Sequence, residues 1–149
     1  MAKASKSRVK VFGADEVRRA MDRFGDEMKQ AVDEAIKETA ESIKDNAQSR
    51  APVKTGALKR GIIVQKFQAR KDTLAVYDIG MDPSMNETFR KPIQNPSGKS
   101  KTVYYPTAVE YGTPRTPAKP FLRPALKGHR AKAKRAVINK VGVVINRDY

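Results

Sequence analysis

Ala51-Pro52-Val53-Lys54-Thr55-Gly56-Ala57-Leu58 divides this chain into a helical part before it and a strand pair after it. Pro52 lacks an amide hydrogen, so a helix arriving from the N-terminal side closes here. Thr55 can cap a short turn beginning at Gly56, and Leu58 anchors the junction. Read alone, the octapeptide is a helix-to-strand connection.

Upstream, no proline occurs from Asp15 to Gln48, and Val17, Met21, Phe24, Met28, Val32, Ala35, Thr39, Ile43 and Ala47 recur at three- and four-residue steps. That spacing predicts one stripe of a long amphipathic helix. Asp15 and Glu16 suit its N-terminus, and Gly25 weakens it locally. At 1.5 Å per residue the helix is roughly 50 Å long, against about 40 Å for the diameter of a compact domain of this length. It must overhang or bend. An overhanging apolar stripe needs cover, which a second copy of the chain supplies, so a homo-oligomer is expected.

Downstream, Gly61 to Phe67 and Thr73 to Gly80 are rich in β-branched and aromatic residues and predict two strands joined by the basic turn Arg70-Lys71-Asp72. Met81 to Thr102 holds Pro83, Pro92, Pro96 and Gly98 with little periodicity, and predicts a long loop at about 81–103. In Tyr104 to Tyr111 the aromatics favour a strand and Pro106-Thr107-Ala108-Val109-Glu110 favours helical turns; the short helix is preferred. In Glu110-Tyr111-Gly112-Thr113, Gly112 supplies a backbone angle denied to other residues and Glu110 is placed to accept hydrogen bonds at the turn. Pro114 and Pro117 are expected to keep the following link extended.

A last helix is predicted from Pro120-Phe121-Leu122-Arg123-Pro124 to about Lys140, with Leu122, Ala125, Leu126, His129, Ala133, Ala136, Val137 and Val141 on its apolar side. Val141 to Ile145 has more strand character. The elements together predict an α+β fold in which a long N-terminal helix and a basic C-terminal helix pack on a small antiparallel sheet. Residues 1–14 form a basic N-terminal arm, and 15–149 a single domain.

The formal net charge is +15 over 149 residues, so a partner of opposite sign is expected. Charge is segregated: Asp15 to Asp45 holds ten of the sixteen acids against six bases, while Lys119 to Arg147 holds nine bases and no acid. With no cysteine, neither disulfides nor thiolate metal sites are available. No apolar run approaches the roughly 20 residues that span a bilayer, and no signal peptide is legible, which predicts a soluble chain.

Catalysis finds little support: one histidine, no cysteine and no phosphate-cradling glycine loop. His129 reads as a neutral or solvent-facing imidazole on a basic helix. Asp72, Asp78 and Asp82 lack the partners of a metal site. Neither an enzyme, a cofactor nor a metal is expected. Lys127, Arg130, Lys132, Lys134, Arg135 and Lys140 are candidates for phosphate contacts of the salt-dependent, sequence-independent kind, or for contacts to an acidic protein. No helix-turn-helix, zinc ligand set or aromatic ladder accompanies them.

A long N-terminal helix, the Ala51–Leu58 junction, Tyr105 leading to Val109-Glu110-Tyr111-Gly112-Thr113, and Pro120-Phe121-Leu122-Arg123-Pro124-Ala125-Leu126, in this order and with a strand pair after the junction, resemble the tailed-bacteriophage family of head-tail joining or tail-completion proteins, which includes relatives of the lambdoid minor tail protein Z. The resemblance rests on Pro52, Thr55, Gly56, Leu58, Tyr105, Glu110, Gly112, Thr113, Pro120, Phe121 and Pro124 and spans about Asp15 to Ala136. The chain departs from it at Pro106, where alanine is more usual, and in the insertion-like stretch Pro83 to Thr102.

The resemblance implies a non-enzymatic subunit that assembles with itself into a ring, a hexamer, at the tail-neck junction of the virion, after synthesis in the host cytoplasm. Implied partners are the neck or head-tail connector proteins, the tail terminator or tail tube protein, and genomic DNA through non-specific contact; no membrane is involved. A tail-terminator ring that caps tube growth is the alternative within the virion. A free sequence-independent nucleic-acid-binding protein is the alternative of another class, supported only by charge.

Overall fold

The computed structural model describes residues 7–8, 14–68, 75–94 and 98–147. The turn at 70–72 and most of the N-terminal arm lie outside these residues. The element order is β1 (Ser7–Arg8), α1 (Ala14–Arg50), α2 (Ala57–Arg60), β2 (Ile62–Phe67), β3 (Val76–Met81), α3 (Asn86–Phe89), β4 (Arg90–Pro92), β5 (Thr102–Tyr104), α4 (Tyr105–Tyr111), α5 (Leu122–Leu126) and α6 (His129–Arg147). This is the expected α+β architecture, with two small antiparallel sheets.

Helix α1 forms because its apolar residues share one stripe, and that stripe is the core: Met28, Val32, Ala35, Ile43 and Ala47 are almost wholly buried. The helix bends, as its length required. At Gly25 the backbone takes φ 64°, ψ −139°, outside helical space, so α1 is two helical segments joined at one residue. Among the described residues, the α1 side chains in the core lie after this break.

Strands β2 and β3 pair in antiparallel register, Ile62 with Met81 through Phe67 with Val76, and β1 adds to the other side of β3. Alternation puts Ile62, Val64, Tyr77 and Ile79 against α1, where they join the cluster with Phe121, Ala125 and Val137. Asp33 on α1 ties the two layers, accepting hydrogen bonds from Lys66 Nζ at 2.7 Å and Tyr77 Oη at 3.0 Å.

Helix α6 lies antiparallel along α1. Lys132 Nζ bonds Ser42 Oγ at 3.0 Å, whereas Lys140 Nζ, two turns on, reaches back to Glu38 at 2.8 Å and Glu34 at 3.3 Å. Ala133 and Val137 are buried between these charged contacts.

Four sequence expectations are corrected. Residues 81–103, expected as a loop, contain the end of β3, a 3₁₀ turn at Pro83–Met85, helix α3 and the β4–β5 hairpin, extended by Ile93 N donating to Lys101 O at 2.9 Å. Phe89 is the anchor: it is buried, and its ring meets that of Tyr104 edge-on at 5.8 Å. The single C-terminal helix is broken, α5 ending at Leu126 and α6 starting after Gly128, whose φ is 88°. Val141 to Ile145 continue α6 as helix, because Val141 packs on the core and tertiary contact overrides β propensity. The Thr113–Thr116 segment is a tight turn, with both cross-strand backbone bonds made at 2.8 and 3.1 Å, so Pro114 sets a bend instead of an extended link.

Candidate functional site

Three surfaces carry the residues singled out by sequence: the junction of α4 with α5, a cleft beside it, and the outer face of α6.

At the junction, Glu110 sits in the last turn of α4 with its side chain 5% exposed. Its Oε2 accepts from the amides of Phe121 at 2.7 Å and Leu122 at 3.0 Å, and its Oε1 from the amide and Nε of Arg123, both at 3.0 Å. A further Arg123 nitrogen donates to the Glu110 carbonyl at 2.8 Å. One buried carboxylate thus satisfies three amides opening α5, which have no partner within the helix. Burial by itself would raise the Glu110 pKa; the amides of Leu122, Phe121 and Arg123 and the guanidinium outweigh it and hold it below the ordinary carboxylate value.

The remaining markers shape the same junction. Tyr105 opens α4 and packs on the core. Pro106, the departure from the family pattern, is buried in the first helical turn, where a missing amide is not felt. Gly112 ends α4 at φ 76°, ψ 176°, and a Cβ there would stand 2.8 Å from Ala118 N. Lys119 N donates to Val109 O at 2.8 Å and draws the chain back along α4, so that Pro120 leads fully buried Phe121 under the carboxylate. Pro124 lies in the first turn of α5. Arg123, which sequence reading left unassigned, closes the device and lies 4.5 Å over the Tyr111 ring. Its only sequence signal was an arginine thirteen positions from Glu110.

The first junction behaves differently. Leu58 is buried and Gly56 turns at φ 73°. The Thr55 hydroxyl receives the Ala57 amide at a long 3.4 Å, and α2 has no side-chain cap at Gly56. Pro52 is half-buried, while Val53 is 73% exposed beside it.

Pro52, Val53 and Lys54 form one wall of a cleft of about 950 Å³ whose other walls come from the β4–β5 hairpin, α4 and the Thr113–Thr116 turn. Its lining is largely apolar, and among the described residues its charged members are Lys54, Lys99, Arg115 and Lys119. Sequence reading missed this cleft because the hairpin wall was not legible.

On α6 and its approach, Lys127, Arg130, Lys132, Lys134 and Arg135 are exposed. Lys132 contacts the neutral Ser42, whereas Lys140 is engaged by Glu38 and Glu34, which raise its pKa. The structure therefore separates Lys140, paired with two acids of α1, from the exposed Lys134 and Arg135. His129 is half-buried rather than solvent-facing, with Nδ1 buried and without a hydrogen-bond partner.

Asp82 caps the 3₁₀ turn through Ser84 N at 2.8 Å, Asp78 is buried in the sheet, and Asp72 lies outside the described residues. Among the described residues no three His, Asp or Glu side chains stand together to hold a metal ion. No described helix is long and apolar enough to cross a membrane.

A family model described as "Bacteriophage HK97-gp10, putative tail-component" matches residues 15–91, just over half of the chain. No curated protein and no solved structure gives a significant match.

Proposed function

We propose, from the premise that the chain belongs to the HK97-gp10-like family of phage tail components, that it forms a ring at the head-proximal end of the tail and joins the finished tail to the capsid neck. The premise makes it a structural component of the virion. The joining role, the closed ring and its sixfold count, and the position around the DNA channel are the reading argued here.

The observation that carries it is the separation of charge across α6. On the side facing α1, Lys140 is neutralised by Glu34 and Glu38; on the outer side, Lys134 and Arg135 are exposed in a segment without acids, with Lys127 and Arg130 at its start. A neck ring lies against a passing genome, and exposed cations without base-reading geometry give the sequence-independent phosphate contact such a channel needs.

Replacing Lys132, Lys134 and Arg135 together by glutamine is expected to lower DNA retention or tail joining while leaving the circular dichroism spectrum unchanged. Virions that assemble and retain DNA normally with the triple variant overturn the assignment. Tails of normal length that fail to join, in the absence of the protein, fit a joining role; overlong tails identify a terminator instead.

A further inference from the structure

We infer that the apolar cleft between the Pro52 corner, the β4–β5 hairpin and the Thr113–Thr116 turn receives an extended acidic segment of a different virion protein, one in which apolar side chains alternate with carboxylates. The inference rests on the joining reading, in which the chain holds a neighbour other than itself, and it gives that neighbour a chemistry and a seat.

The floor of the cleft is apolar and open. Ile93, Val103, Tyr105 and Val109 line it half-buried, and Val53 beside them is 73% exposed. Apolar side chains set against these residues leave water, which favours association.

The charge of the cleft has one sign. Lys54, Lys99, Arg115 and Lys119 are all exposed, and among the described residues none of them pairs with an acid. The Arg115 guanidinium donates to the Gln94 carbonyl at 3.1 Å, which fixes where it stands. Such a lining favours carboxylates and disfavours a basic partner.

The wall at the Pro52 corner also offers backbone. Val53 and Lys54 belong to no helix or strand, and among the described residues their amides and carbonyls make no hydrogen bond. An extended chain laid beside them can pair with these groups while its alternate side chains divide between apolar floor and cationic rim.

A second copy of this chain is a poor occupant. It brings a net charge of +15, and Asp33, Glu34, Glu38, Glu41, Glu87 and Glu110 are already paired with cations of their own chain. DNA fits no better, because its phosphates would meet the cations and leave the floor without an apolar partner. The segment therefore comes from another, acidic protein.

Fluorescence anisotropy on the full-length protein at physiological salt tests this with labelled peptides in which Glu alternates with Leu, Val or Phe. Members of this set are expected to bind; Ser in place of the apolar residues should weaken binding about tenfold, and Lys in place of Glu should abolish it. The cleft variant Lys54→Glu with Lys99→Glu and Lys119→Glu is expected to lose about tenfold or more in affinity, and Val53→Asp about as much. A control, Arg19→Glu with Lys29→Glu and Lys37→Glu, removes the same positive charge at residues that do not line the cleft and is expected to bind as the wild type does. All these positions are exposed, so none of the variants disturbs the core.

No binding by any member of the set, or an equal loss in both triple variants, overturns the docking site. Wild-type oligomers that exclude the peptides while dilute monomers bind them make the occupant a second copy and overturn it too. The joining reading fails separately, when phage lacking the protein joins its tails normally.

Discussion

Two corners of the chain marked by proline and glycine are built on opposite principles. The Ala51–Leu58 corner turns by backbone geometry around one buried leucine, with Val53, Lys54 and Thr55 exposed to solvent. The Glu110–Arg123 corner is a buried carboxylate gripping three amides and a guanidinium above a fully buried phenylalanine. Similar residues mark both, yet the first is a surface that can meet a neighbour and the second is a fastening that cannot be opened without exposing unsatisfied groups.

Substitutions should separate the corners by size of effect. Phe121→Ala removes a ring with no exposure and is expected to cost about 4 kcal/mol by denaturant titration. Glu110→Ala leaves the amides of Phe121, Leu122 and Arg123 without their acceptor and is expected to cost about 3 kcal/mol. A loss below about 1 kcal/mol would put the carboxylate's contribution in the range of an ordinary surface ion pair and erase the contrast between corners.

The same carboxylate supplies a pH test. Its folded pKa lies below the unfolded value, so it stabilises the fold above the ordinary carboxylate range, and that contribution disappears as pH falls through the folded value. Melting temperature against pH should fall less steeply on the acid side in Glu110→Gln than in the wild type. Parallel curves would assign the acid sensitivity to other carboxylates.

Gly112→Ala tests the backbone beside the fastening. It places a side chain at φ 76°, ψ 176° and against Ala118 N, with an expected loss of about 2 kcal/mol. Thr55→Ala, at the other corner, removes only a 3.4 Å contact and is expected to shift stability by about 0.5 kcal/mol or less. A Thr55 effect as large as that of Gly112 would mean that the first corner is fastened as firmly as the second.

The parts of the fold legible in the sequence were those with a repeating signal. The stripe of α1 runs through more than thirty residues, and β2 and β3 carry β-branched and aromatic runs, so periodicity and composition identified them. Glu110 and Gly112 were legible as turn chemistry, but the groups that Glu110 binds lie eleven to thirteen residues onward, and nothing local in the sequence pairs them. The β4–β5 hairpin escaped because Arg90-Lys91-Pro92 is short, charged and proline-bearing, and its order depends on Phe89 packing and on pairing with Thr102–Tyr104. Without the hairpin the cleft had no second wall. The end of α6 was misread because a run of valines resembles a strand until α1 is present to pack against it.

The break at Gly25 has a consequence for when order is acquired. A helix of about a dozen residues is marginal in water without packing, and among the described residues the α1 side chains in the buried core, Met28 to Ala47, all belong to the segment after the break. The two segments should therefore form separate cooperative units in amide hydrogen exchange, divided at one glycine, with the second the more strongly protected. A single residue would then set the order of events: the turns from Met28 onward form with the core, and those before Gly25 form as a unit of their own.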